Sequence, residues 1–191
     1  MKPTELINGV DVNRLAKTID DINIDPELAT FRFQVSNTWD NGGHNQTSIK
    51  RFYGAKRQID HEVPFRIEAD EPPILLGGDQ GANPVEYLLT ALAGCLTTTL
   101  VYHAAARGII IRSVESELDG ELDLRGFLGL SDKVRKGYKN IRVRFSIDSD
   151  APQDVLETLT VVAQRHSPVF DMLSNPVDIS VSAQRIVKTT H

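Results

Sequence analysis

Cysteine is almost missing from this chain: Cys95 is the single cysteine in 191 residues. One thiol cannot form a disulfide within the chain, so any role of Cys95 is that of a free thiol. Without a disulfide framework we expect a reducing compartment, the cytoplasm. Packing as a small hydrophobe is the simpler role for a free cysteine on an apolar helix, and it stays open as an alternative to chemistry.

Basic residues and long apolar runs are also scarce. Lys and Arg number 21 against 26 Asp and Glu, and the net charge of -5 argues against the basic face that a nucleic-acid binder needs. We find no uninterrupted run of 18 or more apolar residues and no apolar leader at the N-terminus, so we expect neither a membrane partner nor secretion. No metal or cofactor is predicted.

The length and the 40% hydrophobic content fit one domain with its own core. Residues 1–30 are polar with a modest helical pattern, and we interpret them as an N-terminal arm that packs on the body or on a second subunit. Residues 31–191 form the single domain.

The first part of the domain alternates between apolar and polar residues, which is typical of half-buried strands. Asp40-Asn41-Gly42-Gly43 is a strong hairpin signal. The pattern predicts an antiparallel meander with strands at 31–39, 44–53 and about 64–69.

The most apolar segment of the chain is a helix that carries Cys95. Asn83-Pro84 is a normal start signal and Gly108 a normal stop, which gives about 24 residues and roughly 36 Å. A helix this long and apolar must be buried on most sides. One small sheet cannot cover it, which is an argument for a partner subunit.

The remaining elements alternate again between strand and helix patterns. We predict strands at 110–124 and 139–147, an exposed loop at 125–137, a helix at 152–166, a short helical turn at 170–173 and a last strand at 177–186.

Three short motifs in this arrangement resemble the OsmC and organic hydroperoxide resistance proteins. They are Gly81–Leu89, Ala93-Gly94-Cys95 and the turn His166-Ser167-Pro168-Val169. The resemblance covers roughly residues 31–186. It implies an α+β, OsmC-like fold, with antiparallel sheets around long central helices, in an intertwined homodimer with the thiol at the subunit interface.

The resemblance also implies a thiol chemistry. In that family a first cysteine attacks a hydroperoxide and becomes a sulfenic acid, a second cysteine resolves it as a disulfide, and an external dithiol, often a lipoylated protein, restores the pair. Cys95 matches the first cysteine. Ser167 stands where the second should be, and a hydroxyl cannot form a disulfide, so an external thiol has to finish the cycle.

Two further family positions are altered here. The family's catalytic glutamate directly follows Asn-Pro, where this chain has Val85 and places Glu86 one residue later, about 100° around the helix. The family's activating arginine follows a Gly-Gly, where this chain has His44, and Arg51 is a second candidate. Histidine stabilises a thiolate only when it is protonated or donates a hydrogen bond. A surface histidine and a solvated arginine are the open alternatives.

Two other histidines lie near the motifs. His103 is about 12 Å along the helix from Cys95, and we interpret it as a core or interface residue. His166 adjoins Ser167, and it either approaches Cys95 or interacts with the end of its own helix.

The leading hypothesis is a cytoplasmic, thiol-dependent hydroperoxide reductase that uses Cys95 in oxidative stress defence. The alternative is a non-enzymatic binding protein, in which a pocket at Val85 holds an apolar small molecule and Cys95 only packs. A purely structural or interaction module is supported by the N-terminal arm alone.

Overall fold

The structure is a computed structural model that describes residues 6–185. The fold is α+β, as predicted: the described residues form three antiparallel sheets, of two, four and two strands, with one long helix and several shorter ones. In chain order the elements are β1 (Leu6–Ile7), β2 (Val10–Asp11), α1 (Val12–Ile24), β3 (Arg32–Phe33), β4 (Ser36–Asn41), β5 (His44–Gly54), β6 (Arg57–Ala69), α2 (Pro84–Ala105), β7 (Ile111–Glu121), α3 (Leu124–Phe127), β8 (Asn140–Ser149), α4 (Gln153–His166) and α5 (Pro168–Ser174).

The N-terminal arm contains the predicted helix, preceded by a small hairpin that was not predicted. Asn8 and Gly9 form its turn with φ of 54° and 79°, the left-handed region that Asn-Gly turns favour. The Asn8 side chain donates to the carbonyl of Ile109 at 2.9 Å and accepts from the N–H of Ile111 at 2.8 Å. The arm is therefore attached to the body of its own chain.

The N-terminal sheet has β5 at its centre, paired with β3 and β4 on one side and with β6 on the other. The predicted hairpin turn joins β4 to β5. However, β6 begins at Arg57 rather than near residue 64. In the turn before β6, Ala55 and Lys56 have φ of 48° and 63°. Turns of this left-handed conformation usually contain Gly or Asn, and the sequence has neither at these two positions. Lys56 is held there by ion pairs with Asp25 and, at 3.0 Å, with Glu27.

The long helix α2 forms much as its capping residues predict, with 22 residues instead of about 24. Asn83 and Glu86 make a capping box, Pro84 takes the first helical position, and Gly108 follows the end at φ 69°. The hydrophobic core lies where α2 packs on α4, and α2 also packs on α5 and β7. The buried side chains of this core are Leu92, Leu96, Leu100, Ala104, Leu159 and Ala163.

A large part of α2 is nevertheless uncovered. Only five of its 22 residues are buried. Although we expected no membrane span, α2 is long and apolar enough to cross a bilayer by length and composition alone. The N-terminal sheet is not among the main packing partners of α2. Within the described part of the chain, the exposed side of α2 and the N-terminal sheet therefore have no main packing partner that covers them.

Two predictions for the second half are corrected. The first residues of the expected loop at 125–137 belong instead to the helical turn α3, in which Gly126 is buried and an added Cβ would meet the backbone of Arg135. No strand forms over the described part of 177–186, and Ile186 lies outside the described residues. A strand needs a neighbour for its backbone hydrogen bonds, and none pairs with this segment between residues 6 and 185.

Candidate functional site

The thiol of Cys95 is in contact with one hydroxyl. Ser167 Oγ donates a hydrogen bond to Cys95 Sγ over 3.1 Å. Ser167 is buried, with 1% of its surface exposed, whereas Cys95 is half-buried. The structure thus brings together the two residues that match the family's cysteine positions, and their chemical role stays a prediction.

Local structure fixes the direction of that hydroxyl. Ser167 separates α4 from α5, and its Oγ accepts the N–H of Phe170 at 3.2 Å as the N-cap of α5. The backbone N–H of Ser167 in turn donates to the carbonyl of Ala163 in the last turn of α4. Oγ accepts the cap N–H with one of its two lone pairs, and its single proton is free to donate to the sulfur.

The side of α2 next to Cys95 is open. Ala91, Gly94 and Thr98 are exposed, and a Cβ added at Gly94 would meet nothing within 4 Å. Thr99 Oγ1 donates to the carbonyl of Cys95 at 2.8 Å and so turns back onto its own helix. Small side chains therefore let another molecule or another chain approach this part of the helix closely.

His44 lies in a different environment from Cys95. Its Nδ1 is 3.1 Å from Asp40 Oδ2 and its Nε2 is 2.9 Å from Glu68 Oε2. The hydrogen bond to Asp40, and then the one to Glu68, raises the pKa of His44 above its ordinary value. A protonated ring would donate to these two carboxylates, so His44 has no free donor for the thiol within the chain.

Glu86 is likewise engaged elsewhere. Its Oε2 accepts the backbone N–H of Asn83 at 2.8 Å in the capping box, and its side chain is exposed. It lies nine residues before Cys95, which is about 13 Å along α2 and on the opposite face. Arg51 pairs with Asp60 at 3.3 Å. Within the described chain the structure brings Ser167 to Cys95, but not His44, Glu86 or Arg51.

Sequence reasoning missed a histidine pair beside Ser167. The rings of His103 and His166 have centroids 4.9 Å apart. Burial lowers the pKa of His103, and the positive charges of His166 and Arg107 lower it further. Each histidine stands in the last turn of its helix, and the packing of α2 on α4 brings the two rings together, for which no local sequence signal exists.

A cavity of about 440 Å³ opens at the N-terminus of α2. Tyr138 donates to the carbonyl of Val85 at 3.0 Å beside it. The walls of the cavity are formed by residues before α2, by the first turn of α2 and by residues in and around α3. The lining residues are Glu71, Pro72, Leu75, Asp79, Asn83, Pro84, Val85, Glu86, Leu122, Leu124, Phe127 and Lys136.

Buried Asp70 shapes the segment 71–80, which carries four of those lining residues. It accepts the backbone N–H groups of Glu71 at 2.8 Å, Gly78 at 2.9 Å and Gln80 at 3.2 Å. Burial alone would raise the pKa of Asp70, but these hydrogen bonds outweigh it and the pKa lies below its ordinary value. The segment before α2 is therefore held in place. Among residues 6–185 no group of three or more His, Cys, Asp or Glu is arranged to hold a metal ion.

The α+β arrangement around one long helix, with a thiol on that helix facing the α4–α5 turn, defines the class of fold. A family model for OsmC-like protein matches residues 77–182, more than half of the chain, and the chain belongs to the OsmC-like family.

Solved structures agree with this fold at low sequence identity. An OsmC-like protein from Mycoplasma pneumoniae is 16% identical with a TM-score of 0.58, and the match covers 76% of this chain and 89% of that one. An organic hydroperoxide resistance protein OsmC from Legionella pneumophila is 16% identical with a TM-score of 0.51, over 76% and 93% of the two chains. Comparison with curated proteins gives no match.

Proposed function

We propose that this protein reduces organic hydroperoxides at Cys95 with the help of an external thiol. The observation that carries the proposal is the 3.1 Å contact between Cys95 Sγ and the buried Ser167 Oγ, in a chain of the OsmC-like family. The name of the Legionella relative, a hydroperoxide resistance protein, agrees with this chemistry.

The reaction has two stages. The Cys95 thiolate attacks the terminal peroxide oxygen, the O–O bond breaks, and the leaving alkoxide takes a proton to become the alcohol. Cys95 is left as a sulfenic acid. An external thiol then forms a mixed disulfide with Cys95 and releases water, and a second thiol frees Cys95 again. A dithiol such as a lipoylated protein would supply both thiols, in a reducing cytoplasm.

Ser167 has a defined part in this scheme. Its O–H donates to the sulfur and so favours the thiolate over the thiol, since hydrogen bonds to a charged acceptor are the stronger ones. It cannot resolve the sulfenic acid, because an oxygen at this position forms no disulfide. The sulfenic acid therefore persists until an external thiol arrives.

We further propose that the working unit is a homodimer. The small side chains at Ala91, Gly94 and Thr98 leave α2 open beside Cys95, and the N-terminal sheet has no helix of its own chain as a main packing partner. A second copy would cover both surfaces, and the exposed Phe33, Trp39 and Phe65 of the N-terminal sheet favour such an association. Sedimentation should give a dimer at micromolar concentration, and a folded monomer would contradict this arrangement.

The test of the thiol chemistry is a stoichiometric pulse of tert-butyl hydroperoxide on the reduced protein. Mass spectrometry should find one added oxygen on the Cys95 peptide, and added dihydrolipoamide should remove it. Cys95→Ser provides the control, since it should consume no peroxide. An unmodified Cys95 after the pulse would contradict the proposal.

A second candidate function is supported by the cavity at Val85. Its volume of about 440 Å³ lies within the usual range of small-molecule sites. In this alternative the protein binds a small apolar ligand without catalysis, and Cys95 only packs. Ligand binding that persists unchanged in Cys95→Ser, together with an inert thiol, would favour it.

A further inference from the structure

The cavity at the start of α2 combines an apolar interior with a charged rim. Leu75, Val85, Leu122, Leu124 and Phe127 give it apolar walls. Phe127 is 68% exposed and Leu124 37% exposed, so the walls face open space instead of the protein core. A site of this kind gains affinity from burial of an apolar body, and its polar groups decide which head group is accepted.

The rim carries more negative than positive charge. Glu71, Asp79 and Glu86 contribute three carboxylates, whereas Lys136 is the only cationic residue in the lining. The positive end of the α2 dipole, equivalent to about half a charge, reduces this imbalance but does not reverse it. The field at the entrance therefore favours a cation.

Two of these carboxylates are held in place by the same residue. Glu71 accepts a short hydrogen bond from the Asn83 side-chain amide, and Glu86 accepts the Asn83 backbone N–H at 2.8 Å. Both partners are neutral groups, so neither carboxylate has its charge cancelled. The negative charge of Glu86 also acts on Tyr138 beside the cavity, where it adds to burial in raising the pKa of that phenol.

The wall that carries Glu71 and Asp79 is also pre-formed. Asp70 fixes it through its three backbone hydrogen bonds. Binding therefore does not require this segment to order first, and little affinity is lost to loop ordering.

From these observations we infer that the cavity binds organic cations, namely protonated amines attached to an aromatic or alkyl body. The ammonium group lies at the rim between Glu71 and Glu86, and the apolar body lies against Leu75, Leu122 and Phe127. This inference rests on the second candidate function, and it adds the charge and chemical class of the ligand.

The test compares three ligands of nearly equal shape by calorimetry: 4-phenylbutylamine, 4-phenylbutanol and 4-phenylbutyrate. At neutral pH these are a cation, a neutral molecule and an anion. We expect the amine to bind about tenfold more tightly than the alcohol, because two partly exposed carboxylates each contribute roughly threefold, and the acid to bind weakest. Added salt should reduce the preference for the amine.

Two variants separate charge from shape. Glu86→Gln keeps the capping box, since glutamine serves in it as well as glutamate, and Glu71→Gln keeps an acceptor for Asn83. Each should reduce amine affinity several-fold and leave alcohol affinity unchanged. Phe127→Ala should weaken all three ligands together because it removes wall area.

The possible outcomes are distinct. Equal binding of all three ligands would overturn the cation preference and leave the binding function intact. Tighter binding of the acid would also overturn it, in favour of Lys136 and the helix N-terminus. No binding of any ligand would overturn both the inference and the second candidate function, without touching the thiol chemistry at Cys95.

Discussion

Replacing Ser167 with cysteine should connect α2 to the α4–α5 turn through a disulfide with Cys95. The native Oγ lies 3.1 Å from Cys95 Sγ, and a disulfide needs about 2.05 Å between its sulfur atoms. A movement of roughly 1 Å would therefore close the bond. Ser167 is fully buried, so the new thiol has little freedom to point elsewhere.

The stabilisation follows from the length of the chain that is closed. Residues 95 and 167 are 72 positions apart, and loop-closure entropy for a ring of that size gives about 4 kcal/mol at 25 °C. Strain from bringing the two sulfur atoms into bonding distance reduces the stabilisation, so the loop-closure value is an upper limit. For a chain of this length it corresponds to roughly 10 °C in Tm.

The assay is urea unfolding of Ser167→Cys, oxidised and then reduced with dithiothreitol. The free energy of unfolding should differ by up to about 4 kcal/mol between the two forms. Cys95→Ser combined with Ser167→Cys carries the same new thiol without a partner, and reduction should leave its stability unchanged. If Cys95 reacts with peroxide, the single variant should also turn over faster with dithiols.

If Ser167→Cys formed no disulfide with Cys95 under mild oxidation, the close contact between residues 95 and 167 would be refuted. The contact between α2 and the α4–α5 turn would then be looser in solution than the 3.1 Å distance implies. The proposed role of Ser167 as donor to the sulfur would fall with it.

The remaining predictions concern stability. Because burial lowers the pKa of His103, protonation of His103 costs stability as pH falls from 7 to 5, whereas His44 with its raised pKa adds stability over the same range. His103→Gln should therefore gain stability relative to wild type between pH 7 and 5 in urea titrations, and a constant difference between the two proteins would contradict the lowered pKa. Asn8→Ala removes two hydrogen bonds to the body and should lower the free energy of unfolding by about 2 kcal/mol; faster amide exchange in α1 would show release of the arm, and unchanged exchange would argue against it. Leu159→Ala opens a cavity beneath α2 and should cost about 2 to 5 kcal/mol, whereas exposed Val161→Ala on the same helix should cost much less; similar losses would contradict the assigned core.

Sequence reasoning succeeded where a local signal decides the structure. Asn83-Pro84 predicted the start of α2 because its capping groups act within one turn, and Asp40-Asn41-Gly42-Gly43 identified the hairpin of β4 and β5. The start of β6 was placed too late, because Ala55 and Lys56 form the turn before it in a backbone conformation that their side chains do not signal. There the conformation depends on ion pairs with a distant part of the chain.

The site shows the same division. Ser167 and Cys95 could be associated from the sequence because each lies in a recognisable family motif, Ala93-Gly94-Cys95 and His166-Ser167-Pro168-Val169, at the positions of the family's two cysteines. The pair of His103 and His166 could not, since it depends on how α2 and α4 are rotated against each other. The last strand failed for a related reason: its apolar alternation is real, but a strand forms only beside another strand.

The segment after α5 has a consequence for how the protein behaves as it is diluted. Val177, Ile179 and Val181 are 49%, 80% and 92% exposed, in a stretch that forms neither helix nor strand among the described residues. Exposed alternating apolar residues with unpaired backbone groups are a template for indiscriminate pairing between chains. If the second subunit of the proposed homodimer covers this segment, the separated subunit is the species that aggregates. Dilution below the association range should then promote precipitation, the reverse of the usual dependence on concentration.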